Sequence, residues 1–305
     1  MPSIQSPLGA LPSRFRRERV LIVGCGDVGL RVARQLGSRV RLLALTSSPA
    51  RVEELRALGI VPLGGNLDDA RTLAKLAGLA TRVVQMAPPP GDGWGDPRTR
   101  ALLAALQRRS APAALVYGST TGVYGDCGGE RIDETRGLRA RTPRALRRVD
   151  AENAVRHYER QSGARTAILR IPGIYAPDRA GGTPRERLLK GLPVLQANDD
   201  AYTNHIHADD LARATVAALW RARPLRALNV VDDSELKMGD YYDLAADLYG
   251  LPRPRRVSRE EAAATLPAAT LSFMGESRRL SNTRLKRELR VRLRYPTVRE
   301  GLAGS

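Results

Sequence analysis

From residue 19 onward, short apolar runs alternate with stretches in which apolar residues recur at helical spacing. Arg19-Val20-Leu21-Ile22-Val23 is the first run, and a β-rich segment that ends in glycines predicts a strand. Val28, Val32, Ala33 and Leu36 then fall on one face of a helix. The same alternation predicts a strand over 40–45, a helix over 49–58, a strand over 60–63 and a helix over 68–76. Ser48 is placed to cap the helix over 49–58, with Pro49 at its first position. A strand over 82–86 is stopped by Pro88-Pro89-Pro90. Beyond it the pattern predicts a helix over 97–109, strands over 113–117, 166–171 and 227–231, and helices over 143–161 and 239–249.

Strand–helix alternation of this kind predicts a parallel sheet with helices on both faces. The strands are continuous apolar runs, as burial on both faces requires. The expected fold is therefore α/β, a Rossmann-type doubly wound parallel sheet. After Tyr117 the rhythm changes: a Gly- and Arg-rich stretch spans 122–141, and the tail over 253–301 is Pro-broken and mostly helical. The expected division is a basic extension over 1–18, a dinucleotide-binding unit over 19–172 and 204–232, and a small C-terminal substrate lobe over 173–203 and 233–301. Ligands of open α/β sheets bind at the carboxyl ends of the strands, the edge such a lobe would cover.

With 305 residues, 42% apolar and only 4% aromatic, the chain can build a full core that must be largely aliphatic. The net charge of +18 invites a nucleic-acid reading. Arg supplies all but four of the 50 cationic residues, however, and is spread along the whole chain. Specific nucleic-acid binding is not expected from charge so distributed, although anionic ligands are favoured. Cys25 and Cys127 make no disulfide framework and fit a reducing, cytoplasmic setting. Residues 1–18 carry Pro, Ser and several Arg but no apolar signal segment, so a disordered extension is expected. No apolar run approaches the roughly 18 residues that span a bilayer, and no membrane partner is expected.

Gly24-Cys25-Gly26-Asp27-Val28-Gly29 follows the first strand and opens the first helix. In that context the G-x-G-x-x-G pattern predicts a dinucleotide site. Gly24 allows the tight turn, Gly26 lets backbone approach a pyrophosphate, and Gly29 lets helix pack on strand. The phosphates would meet the positive end of the helix. The second strand runs into Leu45-Thr46-Ser47-Ser48-Pro49-Ala50-Arg51, with no carboxylate for a ribose 2′-hydroxyl. Thr46, Ser47 and Ser48 offer hydroxyls and Arg51 a fork for a 2′-phosphate, so NADP is expected, with NAD the alternative.

Four further segments, together with this loop, carry a family resemblance. They are Gly65-Asn66-Leu67-Asp68; Gly118-Ser119-Thr120-Thr121-Gly122-Val123-Tyr124-Gly125; Leu169-Arg170-Ile171-Pro172-Gly173-Ile174-Tyr175-Ala176-Pro177; and His205-Ile206-His207-Ala208-Asp209-Asp210-Leu211-Ala212. In this order they resemble extended short-chain dehydrogenases/reductases, the NAD-dependent epimerase/dehydratase group, over about residues 19–300, and most nearly a compact bacterial subgroup typified by YeeZ. The resemblance implies that Asn66, Leu67, Met86, Ala87, Pro88, Ser119, Pro172 and Ile174 line the cofactor site beside Gly24, Gly26, Asp27, Val28 and Gly29. It implies a small-molecule substrate, a carbonyl compound, sugar or sugar nucleotide, near Thr120, Tyr124 and Ile174. It also likens helices 97–109 and 143–161 to the family's dimer-forming pair, so a monomer or a homodimer is expected.

That family's chemistry uses a Ser/Thr, a Tyr and a Lys, and Thr120 stands at the first position. Family members carry Y-x-x-x-K with a Glu four residues later. Glu152 fixes that register here, which puts Arg144 at the Tyr position and Arg148 at the Lys position. Arg stays protonated, so Arg144 cannot supply the proton, while Arg148 could hold a ribose or phosphate as a fixed cation. The expected catalytic set is Thr120, Tyr124 and Arg148, with Tyr124 as replacement acid and His157 behind it. The alternative function is a catalytically silent, NADP-binding redox sensor or regulator.

His205 and His207 share one side of an extended segment near Asp209 and Asp210, but no third ligand stands at standard spacing, so no metal is expected. Cys127 reads as a small loop residue rather than a nucleophile. The dense basic stretch from Arg278 to Arg294 reads as a solvated helix and strand.

Overall fold

Seven strands form one sheet, each parallel to its neighbours, in the order β7-β6-β5-β4-β1-β2-β3. They are β1 (Arg19–Val23), β2 (Arg41–Thr46), β3 (Val61–Gly64), β4 (Arg82–Gln85), β5 (Ala114–Thr120), β6 (Arg165–Ile171) and β7 (Arg226–Asn229). The computed structural model describes residues 17–266, 271 and 274–303. The extension expected over 1–18 therefore lies, through residue 16, outside the described residues.

Both sheet faces are buried, as the unbroken apolar runs require. Along β1, Val20 and Ile22 enter one apolar core while Leu21 and Val23 enter the other. The first core takes Val32 and Leu36 of α1 (Asp27–Leu36), Leu55 of α2 (Arg51–Ala57) and Leu211 and Leu219 of α5 (Ala208–Arg221). The second takes Leu102 and Leu106 of α3 (Pro97–Gln107) and Val155 and Tyr158 of α4 (Pro143–Ser162). Strand order reverses between β1 and β4, which opens the crevice that open α/β sheets use for ligands.

Two predicted helices come out shorter or different. Residues 70–76 form a 3₁₀ stretch, because the Thr72 hydroxyl donates to the carbonyls of Asn66 and Asp69 and competes with α-helical pairing. The helix expected over 49–58 starts at Arg51 with Ala50 as its cap residue, so Ser48 does not cap it. The Ser48 N–H instead donates to Thr46 Oγ1 at 3.2 Å, closing a local turn. β5 runs three residues beyond the predicted strand, because its register with β6 continues to Thr120 opposite Ile171. α4 begins at Pro143 as expected, with the Thr142 hydroxyl accepting from Ala145 N.

Beyond β6, Gly173–Tyr175 pairs with His205–His207, and Tyr202–Thr203 pairs with Leu236–Lys237. A third small core gathers Tyr175, Leu188 and residues of α6 (Met238–Tyr249) with Val298 and Leu302. These segments stand over the carboxyl ends of β5 and β6. No described helix is long and apolar enough to cross a membrane.

Candidate functional site

The glycine loop sits in the crevice between β1 and β4. Gly24 has φ +83°, and a Cβ there would lie 2.6 Å from Ala87 Cα. Gly29 closes against the turn, where a Cβ would stand 2.9 Å from Gly24 O. Gly26 differs from both: a Cβ built on it meets nothing within 4 Å. The protein does not need Gly26 for its own packing, which leaves a backbone cradle at the amino end of α1. That is the arrangement a pyrophosphate requires.

Two cavities flank the loop. One of about 540 Å³ is walled by Gly24, Gly26, Thr46, Ser47, Ser48, Arg51, Asn66, Leu67, Met86, Ala87 and Pro88. The other, about 320 Å³, is walled by Gly24, Gly26, Asp27, Val28, Gly29, Met86, Ser119, Pro172 and Ile174, together with Thr120 and Arg148. Gly24, Gly26 and Met86 line both, so the cavities read as one groove with the loop at its middle. These donors and this shape fit a dinucleotide.

Arg51 is already placed at the first cavity. Its Nη1 donates to Cys25 O at 2.7 Å, while Nε and Nη2 donate to Glu54. Glu54 holds the guanidinium above its ordinary pKa. Arg98, which sequence reasoning missed, stands across the mouth and donates bidentately to Asp68 at 2.7 Å on both arms. Cys25 is buried in the turn, and that burial pushes its thiol up to about 11 against the pull of Arg51.

Behind the second cavity lies a buried polar network. Ser119 Oγ donates to Glu152 Oε1 at 2.7 Å. Arg170 Nη2 donates to Glu152 Oε2 at 2.9 Å and its Nη1 to Tyr124 OH at 2.8 Å. Tyr124 OH donates to Asn229 Oδ1 at 2.7 Å. Glu152 and Tyr124 are fully buried. This corrects the expected role of Tyr124: its ring lines neither cavity of the groove, and its hydroxyl is engaged both as donor and as acceptor. Burial pushes its pKa up to about 12 despite Arg170. The reserve acid, His157, is exposed and lines a separate groove between α3 and α4. Cys127 is buried, with its thiol raised by desolvation.

Arg148 is fixed from behind, its Nη1 donating to Gly118 O at 2.6 Å and to Tyr117 OH at 3.1 Å. Thr120 Oγ1 accepts from Gly122 N at 3.3 Å, which leaves its own proton to donate. Thr120, Arg148 and Pro172 line the 320 Å³ cavity and also a larger cleft of about 670 Å³. That cleft is lined as well by Arg144, Arg147, Arg187, Tyr202, Tyr242 and Arg278. Of these, sequence reasoning singled out Arg144 and the stretch that begins at Arg278. Arg147 comes with the same turn of α4, whereas Arg187, Tyr202 and Tyr242 come from distant segments with no local motif, and only the topology joins them.

His205 and His207 are packing residues. Both stand edge-on to Tyr175, His205 stacks on Tyr241 and His207 on Tyr295. His207 Nδ1 accepts from Asp209 N and caps α5. Burial lowers the His205 pKa to about 4. No His/Cys/Asp/Glu group among the described residues suits a metal ion.

Comparison with known proteins follows the same lines. A family profile described as the NAD dependent epimerase/dehydratase family matches residues 97–230, and a TrkA-N domain profile matches residues 20–87. No curated protein sequence matches. Among solved structures, a functionally unknown conserved protein from Silicibacter pomeroyi DSS is 31% identical with a TM-score of 0.79, covering 93% of this chain and 96% of that one. UDP-glucose 4-epimerase from Thermotoga maritima, solved with UDP-glucose, is 16% identical with a TM-score of 0.77 over 93% and 96% of the two chains. UDP-glucose 4-epimerase from Thermus thermophilus, solved with NAD, is 21% identical with a TM-score of 0.73 over 93% and 96% of the two chains.

Proposed function

We propose that this chain, which belongs to the NAD dependent epimerase/dehydratase family, binds NADP along the glycine-loop groove and acts as an atypical oxidoreductase of epimerase/dehydratase type. Its substrate is a small carbonyl compound, sugar or sugar nucleotide in the large cleft. One observation carries the reading: Thr120, Arg148 and Pro172 form a wall common to groove and cleft. A nicotinamide ring in the groove and a substrate in the cleft would meet at that wall. The cofactor, when bound, supplies the hydride chemistry. Thr120 holds the substrate oxygen through its free proton, and Arg148 supplies a fixed positive charge beside it. In this reading 19–172 with 204–232 make up the cofactor half, and 173–203 with 233–301 the substrate lobe.

The Thermus epimerase was solved with NAD. The preference for NADP here rests instead on the lack of a carboxylate at the end of β2 and on the position of Arg51 at the cavity. A second reading, a dinucleotide-binding regulator without turnover, draws on the sealed hydroxyl of Tyr124 and on Arg144 in the cleft. A two-stage assay separates them. NADPH and NADH are titrated by fluorescence, then carbonyl compounds and sugar nucleotides are screened by absorbance at saturating cofactor. Tight NADPH binding with turnover on a cleft-sized substrate supports the enzyme. Binding without turnover across the panel selects the regulator, and no binding removes both.

A further inference from the structure

The large cleft gathers more arginine charge than the carboxylate in its lining answers. Several buried or half-buried arginines elsewhere among the described residues pair with carboxylates. Arg31 binds Asp27, Asp178 and Asp209, Arg170 binds Glu152, and Arg256 binds Asp240 and Asp243. The cleft holds Arg144, Arg147, Arg148, Arg187 and Arg278, with Glu276 as the only carboxylate among its described lining residues. Three of these guanidiniums are tethered by carbonyl oxygens, Arg147 by Gly93, Arg148 by Gly118 and Arg187 by Pro193, while Arg278 donates both to Gly125 O and to Glu276. A carbonyl fixes the position of a guanidinium without cancelling its charge.

Arg144, Arg147 and Arg148 also crowd the first turns of α4. Like charges three and four residues apart on a helix repel, and cations at a helix amino end oppose the macrodipole. Both effects reverse when an anion occupies the site. A second observation points the same way: Arg147 is only 7% exposed, lines the cleft, and its Nε has no hydrogen-bond partner. The Arg144 guanidinium is held below its ordinary pKa, first by burial and then by Arg278, Arg148 and Arg147 against Glu276.

We propose that the cleft binds a substrate with at least two negative charges, a phosphate or a dicarboxylate, seated on Arg144 and Arg147 at the start of α4 and closed over by Arg187 and Arg278. The anion then sits at the reacting end of the cleft, next to Thr120, where the family resemblance places a tyrosine. This rests on the reading of the cleft as the substrate site, not on turnover or on the NADP preference.

The test is calorimetric titration of the full chain, saturated with NADPH, using inorganic pyrophosphate, malonate and neutral glucose as separate probes. We expect pyrophosphate or malonate to bind without displacing NADPH, and the one that binds tells phosphate from carboxylate. Glucose should not bind. Arg144→Gln and Arg187→Gln should each weaken the anion about tenfold or more while leaving the NADPH dissociation constant unchanged. Arg187 lies outside α4, in the short helix Arg185–Leu189, so it serves if the Arg144 variant does not fold. An anion that displaces NADPH, affinity unchanged in Arg187→Gln, or no anion binding to the NADPH-bound protein would each overturn the proposal. If NADPH itself fails to bind, the same titration on the cofactor-free chain decides the anion question, and the loss falls on the cofactor reading alone.

Discussion

Gly26→Ala tests where backbone is reserved for a ligand. Gly26 caps α1 with φ −82° in the extended region, a conformation an alanine adopts. Its added Cβ meets no protein atom within 4 Å. The fold therefore gains no clash, and stability should stay within about 1 kcal/mol of the parent, since the entropy an alanine removes from the unfolded chain offsets its poorer N-capping. The same methyl would stand in the cradle between the two cavities. Pushing a pyrophosphate off the N–H groups of the loop forfeits about 1.5–3 kcal/mol per charge-assisted hydrogen bond, about a ten- to hundredfold loss of affinity. Gly24→Ala is the contrast, since φ +83° and a Cβ 2.6 Å from Ala87 Cα make it a folding lesion. Thermal melts and NADPH fluorescence titrations on both variants separate the cases. A Gly26→Ala protein that binds NADPH like the parent would show that no ligand backbone passes over this residue.

Three other perturbations probe the surrounding structure. Asp232 is 3% exposed, and burial raises its carboxyl to about 8. Because the folded chain keeps a proton that the unfolded chain has released, this group's contribution falls as pH rises above the ordinary carboxylate range toward 8. Relative to Asp232→Asn, the parent should lose about 3 kcal/mol between pH 5 and pH 7 in denaturant titrations, and parallel pH profiles would refute it. Tyr124→Phe strips Arg170 and Asn229 of a buried partner and should cost about 1–3 kcal/mol with NADPH affinity intact; a lost turnover at unchanged stability would instead return Tyr124 to the reaction. Arg51→Gln should raise the NADPH dissociation constant about tenfold and leave NADH untouched, so an equal effect on both cofactors would remove Arg51 from any 2′-phosphate site.

The sheet, its buried strands and the glycine loop were legible because each rests on local pattern. Val20 to Val23 need only apolarity, and Gly24, Gly26 and Gly29 need only their spacing and a strand before them. The cleft was legible where a motif ran through it, at Thr120 and at the Arg144–Arg148 register. Arg187, Tyr202 and Tyr242 were not, because they arrive from segments about 15 to 40 residues apart with no pattern linking them to β5. Tyr124 was misplaced for a different reason. A motif gives sequence position but not side-chain direction, and the 3₁₀ turn after β5 rotates Tyr124 inward to Arg170 and Asn229. Ser48 failed as a cap because a turn over Ser48 to Arg51 delays the helix, which starts at Arg51 with Ala50 in the cap position.

One stripe of α4 has a consequence for how such a protein changes over time. Arg144, Arg148 and Glu152 succeed one another four residues apart, so the same helix face descends from the open cleft, past the shared wall, into the sealed network with Ser119 and Arg170. Its depth divides the stripe into a part open to the cleft and a part bound to the scaffold. Mutation can rewrite the chemistry at 144 and 148 while selection for folding acts on 152. Substitution at 144 or 148 therefore changes the charge of the cleft without touching the buried network that ties α4 to β5 and β6.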